Sequence, residues 1–142
     1  MSIELNKIKI IKLGEKNYPE KLKNIYAKPQ ILYALGNIEL LNSKSIAIIG
    51  CRQCSEYGKK NAFKFAYQLA KNGICVISGL ARGIDTFAHW GALKANGSTI
   101  AVLGSGLNEI YPPENRELYE QILKKNGAII TEYPLNSKPE KY

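Results

Sequence analysis

Residues Gly73 to Gly104 read GICVISGLARGIDTFAHWGALKANGSTIAVLG: a short apolar run, a loop of small residues, an amphipathic stretch and a second apolar run that again ends in glycine. Short β-branched runs such as Ile74 to Ile77 and Thr99 to Leu103 read as strands buried on both faces. Ile84 to Asn96 carries its apolar residues near a 3.6-residue period, and Gly97 follows as a helix stop. Strand, loop, helix and strand in this order make a parallel βαβ unit. The same grammar extends outward in both directions. Upstream lie a strand at Ile46 to Ile49 and a helix at Tyr57 to Asn72 closed by Gly73; downstream lie a helix at Glu114 to Asn126 closed by Gly127 and a strand at Ala128 to Thr131. Four strands and three helices in alternation predict an α/β fold with a doubly wound, mainly parallel sheet and helices on both faces.

Upstream of Ser45 the pattern breaks. Residues 1–45 hold eight lysines and four glutamates, with Pro19 and Pro29 interrupting them. This predicts a short irregular N-terminal lead-in over 1–44 and a regular domain over 45–142. A chain of 142 residues is the size of one domain, and its 45% hydrophobic and 23% charged residues suit a water-soluble globule. No apolar run approaches the roughly 20 residues of a membrane-spanning helix, and Met1-Ser2-Ile3-Glu4 lacks the basic then apolar layout of a secretory signal, so a cytoplasmic protein away from membranes is expected. In that compartment the three cysteines are thiols.

In a parallel sheet, ligands bind beyond the carboxyl ends of the strands, where helix N-termini present free N–H groups. Three such loops are small-residue rich here: Gly50-Cys51-Arg52-Gln53-Cys54-Ser55-Glu56-Tyr57-Gly58, Ser78-Gly79-Leu80-Ala81-Arg82-Gly83-Ile84-Asp85, and Gly104-Ser105-Gly106-Leu107-Asn108. Small residues let a phosphate approach the backbone, and Arg52 and Arg82 supply the planar guanidinium suited to it. An anion site follows. The net charge of +8 fits a polyanionic partner, although a lysine-rich surface also serves solubility alone. The first loop places Arg52 where the dinucleotide fingerprint has its second glycine, and no Gly-Lys-Ser or Gly-Lys-Thr phosphate loop is present, so neither NAD nor ATP is expected as a cofactor.

Other constellations are weaker. Cys51 and Cys54 form a C-x-x-C at a helix start, but only Cys75 and His89 remain as further ligands of that type, and Cys75 falls inside a strand; no metal site is expected. Asp85 and His89 share a helix face, yet no nucleophile accompanies them, and helix capping and packing explain both. No catalytic residue is assigned, and the chain does not read as an enzyme. Tyr57, Tyr111 and Tyr133 near strand ends could stack on a base, and Lys59, Lys60, Lys64 and Lys71 make the first helix basic.

Taken together, Ile46 to Arg52, Ser78 to Asp85 with Ala88-His89, Ala101 to Gly106, Ile110 to Arg116 and Glu132-Tyr133-Pro134 resemble, in order and spacing, the motifs of the DprA/Smf DNA-processing family. Leu32 to Asn37 also fits the stretch that precedes the family's domain. The resemblance covers about residues 18 to 135 and implies a Rossmann-like domain that binds single-stranded DNA during DNA uptake and hands it to the recombinase RecA. It implies that Arg52 holds a backbone phosphate, that Gly50, Gly79 and Gly104 shape the pocket, and that Arg116 lies in a segment of further basic contacts. Cys51 stands where the family has serine or threonine. Relative to the family the domain reads as incomplete, stopping before the segments that carry the usual homodimer surface. The rival classes are a nucleotide-binding sensor and a phosphoribohydrolase-like enzyme of a related Rossmann-like family, whose Pro-Gly-Gly-x-Gly-Thr-x-x-Glu motif is absent.

Overall fold

The four apolar runs form the parallel part of a six-stranded sheet in a computed structural model that describes residues 7–140. The strands are β1 (Lys9–Lys12), β2 (Ile31–Gly36), β3 (Ser45–Ala47), β4 (Cys75–Ser78), β5 (Thr99–Leu103) and β6 (Ala128–Thr131). The helices are α1 (Glu56–Lys71), α2 (Ile84–Lys94) and α3 (Arg116–Lys124). Across the sheet the order is β1-β2-β6-β5-β4-β3, with β3 to β6 mutually parallel and β2 antiparallel to both neighbours. The α/β class and the mainly parallel sheet are as expected.

The helices sit differently from expectation. Val76, Ala101, Leu103 and Ile129 point to the side where α1 contributes Ala66 and Ala70, α2 Ala88, Ala92 and Leu93, and α3 Leu118, Tyr119 and Ile122. All three helices therefore cover one face. Each new strand from β3 to β6 is added on the same side of the last, and right-handed crossovers repeated in one direction return every helix to the same face. Coverage of both faces by helices requires a reversal of strand order, and none occurs among the described residues.

The opposite face is covered by the N-terminal segment. Cys75, Ile100, Ala128 and Ile130 pack there with Ile11, Tyr18, Leu32 and Ala34. Tyr18 is fully buried and its hydroxyl donates to the Pro29 carbonyl at 2.6 Å. The segment expected to be irregular thus supplies β1 and β2. Their sequence signal is short: Lys9-Ile10-Ile11-Lys12 is four residues long, and its two lysines suit an edge strand. Ile46 and Val102, by contrast, remain 44% and 43% exposed.

Helix ends follow local chemistry. The Ser55 hydroxyl accepts from the Gly58 N–H at 3.0 Å and starts α1. Gly73 closes α1 in the left-handed conformation, but after α2 and α3 that conformation falls on Asn96 and Asn126 rather than on Gly97 and Gly127. Asparagine tolerates it, and the following glycines are needed for contact instead, since a side chain on Gly97 would strike Ala70 and one on Gly127 would strike Ile122. Among the described residues no helix is long and apolar enough to cross a membrane.

Candidate nucleic-acid interface

Three loops meet at the carboxyl end of the parallel strands. The second, from Gly79 to Gly83, is the best fixed. Asp85, in the first turn of α2, accepts the Gly79 N–H at 2.9 Å, and Thr86 donates to the Ala81 carbonyl at 2.7 Å. Asn115, buried at the start of α3, donates to the Leu80 carbonyl at 2.8 Å and to the Thr86 hydroxyl at 2.9 Å. His89 Nε2 accepts from the Leu80 N–H at 3.3 Å. The Thr99 hydroxyl donates to the Val76 carbonyl, so the His89 Nδ1 2.7 Å away must carry the proton and donate to Thr99. His89 is therefore a neutral imidazole, and complete burial pushes its pKa down to about 3. Asp85 and His89 are both committed to loop support.

The first loop leans on the second. Gly83 has φ +82°, and its missing side chain leaves room for the carbonyls of Cys51 and Arg52. The Ile84 N–H donates to the Cys51 carbonyl at 3.3 Å, and Gly50 lies against the Ile84 side chain. In the third loop Ser105 is buried and donates to the Glu109 carbonyl at 2.9 Å. The Gly106 N–H donates to the Ser137 carbonyl at 2.8 Å, and the Asn108 N–H to the Leu135 carbonyl at 3.0 Å. These bonds bring Pro139 and Glu140 beside the loops.

The loops enclose a pocket of 390 Å³. Of the residues singled out from sequence, Arg52, Gly79, Ala81, Arg82, Gly104, Ser105 and the candidate stacking residue Tyr111 line it. Gly50, Ser78, Gly83, Asp85 and Gly106 lie behind it as scaffold; the Ser78 hydroxyl, for instance, donates to the Ile48 carbonyl at 2.6 Å. Ser55 and Gly58 are joined in the α1 cap, so that the hydroxyl and that N–H are already paired. Cys51, Tyr57 and Arg116 are exposed outside the lining. The sequence did not point to Leu103, Pro112, Pro139 and Glu140 as pocket residues; Pro112 follows Tyr111 and was within reach, whereas Pro139 and Glu140 arrive by tertiary contact.

The two pocket arginines differ. Arg82 is held bidentately by Glu114, Nε to Oε2 at 2.8 Å and Nη2 to Oε1 at 3.1 Å, with its guanidinium 5.7 Å from the Tyr111 ring centroid. That hydrogen bonding holds the Glu114 carboxyl below its usual range. Arg52 is exposed and has no ion-pair or hydrogen-bond partner among the described residues. Cys51 and Cys54 are free thiols, and among the described residues no three His, Cys, Asp or Glu side chains converge as a metal site would require.

The family model described as DNA recombination-mediator protein A matches residues 9–142. The chain belongs to this DprA/Smf family. Among curated members it is 44% identical over 129 residues to protein Smf of Synechocystis, covering 88% of this chain and 32% of that one. It is 37% identical over 142 residues to DNA processing protein DprA of Streptococcus pneumoniae, covering 100% of this chain and 50% of that one. The X-ray structure of the Streptococcus pneumoniae DprA superposes with a TM-score of 0.86 over 97% of this chain and 48% of its own. DNA processing protein A of Helicobacter pylori, whose structure concerns its single-stranded DNA binding mode, superposes with a TM-score of 0.83 at 32% identity, over 95% of this chain and 60% of its own. This DprA/Smf chain thus spans a third to a half of the curated relatives it matches.

Proposed function

We propose that this chain binds single-stranded DNA by its backbone at the three-loop pocket, with Arg52 as the phosphate ligand. The observation that carries the reading is the contrast between the arginines: Arg82 is neutralised by Glu114, while Arg52 stands over the same pocket with its charge unspent. A guanidinium beside glycine backbone recognises phosphate oxygens and leaves the bases unread. Kinship with a protein whose single-stranded DNA binding has been described in structural terms supports the reading. Within DNA uptake the chain would hold the strand rather than cut it. Handing of the strand to RecA, and a homodimer, belong to the same proposal by family resemblance.

The test is fluorescence anisotropy of labelled oligo-dT at several salt concentrations, with AMP as competitor. Arg52→Ala is expected to weaken binding roughly tenfold, as for loss of one charge-assisted contact, and to reduce the slope of log K against log salt by about 0.7. Unchanged affinity in Arg52→Ala would sink the assignment. AMP binding without any strand binding would favour a nucleotide sensor.

Glu140 gives a second test with the opposite sign. Glu140 is a residue of the same pocket wall, and a negative charge there would repel a phosphate. Glu140→Gln is expected to tighten oligonucleotide binding about two- to threefold at low salt, and the gain should fade as salt screens the charge.

A further inference from the structure

The helical layer carries a second concavity. It measures 400 Å³, lies between α2 and α3 with α1 as a third wall, and is lined by Phe63, Phe87 and Trp90, with Lys94 and Lys125 as its charged members. Its origin is the packing of α1 on α2. Ala66, Ala88 and Ala92 are fully buried in that seam, and Gly91 lies against the Phe63 carbonyl and Ala66, so no large side chain fits between the helices. The large residues of α2 stand beside the seam instead: Phe87, Trp90 and Lys94 recur at three- and four-residue spacing and share one face. All three aromatic rings of the cleft are only partly buried. Lys59, paired with Glu56 at 3.1 Å, also places its ammonium 5.7 Å from the Phe87 ring centroid.

Partly open aromatic residues with exposed lysines beside them, Lys94 and Lys125, the latter donating among the described residues only to the exposed Asn96 side chain at 3.3 Å, match what a polynucleotide single strand presents, flat bases alternating with phosphates. An apolar peptide would use the rings but not the cations. One helix links the cleft to the pocket loops: α1 starts a few residues after Arg52, and Lys59 on its first turn reaches Phe87. We infer that the cleft is a second contact site for the same strand, taking an unpaired base against Phe87 and Trp90 while Lys94 and Lys125 hold the flanking phosphates. This rests on the single-strand reading given above, and extends the strand's path from the loop end of the sheet onto the helices.

Trp90 is the sole tryptophan in the sequence, so intrinsic fluorescence reports the cleft directly. Titration with unlabelled oligo-dT is expected to quench Trp90 emission along the same isotherm that anisotropy follows. Lys94→Glu combined with Lys125→Glu changes only exposed side chains; it should abolish the quenching and weaken binding roughly tenfold, the scale of losing one stacked base. Phe87→Leu, which keeps apolar volume, should weaken binding in the same direction. Arg52-dependent anisotropy with no change in Trp90 emission, or full quenching in the charge-reversed protein, would overturn the cleft and leave the pocket standing. No anisotropy change with any strand would remove both.

Discussion

Gly83→Ala is expected to lower stability by about 3 kcal/mol or more and to remove oligonucleotide binding with it. Two effects combine at this position. The backbone at Gly83 has φ +82° and ψ −127°, a region that an L side chain rarely adopts. A methyl group would also meet the carbonyl oxygens of Cys51 and Arg52, which are main-chain atoms of another loop and cannot swing away as a flexible side chain could. The first loop must lift off the second, and Arg52 then leaves the pocket. Gly73→Ala is the control, since it shares a positive φ of +81° but has nothing within 4 Å of the added carbon. Strain alone should cost about 1–2 kcal/mol there and leave binding intact. Thermal unfolding followed by circular dichroism, together with anisotropy, separates the two. Equal losses in both variants would mean that the fusion of the loops contributes nothing.

Acidification is expected to destabilise the fold from neutral pH downward, through His89. Its ordinary pKa is near 6.5, and burial lowers it to about 3 in the folded chain. Above 6.5 the imidazole is neutral in both states and its contribution to stability is present in full. Below 6.5 the unfolded chain takes up a proton that the folded chain refuses, so stability falls by up to about 1.4 kcal/mol per pH unit until pH approaches 3. His89 is the one histidine of the sequence, so the upper part of this window, above the carboxylate range, reports it alone. His89→Gln can still accept from Leu80 and donate to Thr99, but it does not titrate. Urea unfolding between pH 7 and 5.5 should show the slope in the parent and a flat line in His89→Gln; the same slope in both would refute the assignment.

The parallel half of the fold was legible because its signals are local. Thr99 to Leu103 and Ala128 to Thr131 become strands at those same bounds, and each helix starts within two residues of expectation. The side on which helices pack was not legible, because it depends on the order of strands across the sheet, which periodicity within an element does not encode. β1 and β2 escaped for a related reason: four- and six-residue runs separated by prolines become strands only when β6 pairs with β2 and β2 with β1. At the site, loop glycines and arginines identified the pocket, but sequence cannot tell a committed arginine from an available one. That Arg82 is engaged and Arg52 is not depends on Glu114, 32 positions away from Arg82. Glu140 entered the pocket wall through the pairing of its segment with the third loop, which no motif announces.

The pairing of β2 with β6 also sets an order of events in synthesis. Tyr33 lies opposite Thr131 and Gly36 opposite Ala128, partners more than ninety positions apart in the chain. As the polypeptide leaves the ribosome, the βα units from β3 to β5 can close on near neighbours. The β1–β2 hairpin, made before them, must wait, its apolar residues unsheltered, until β6 is delivered. Bringing such distant partners together is a slow step in chain collapse, and it makes β6 the clasp that fastens the β1–β2 hairpin to the rest of the sheet.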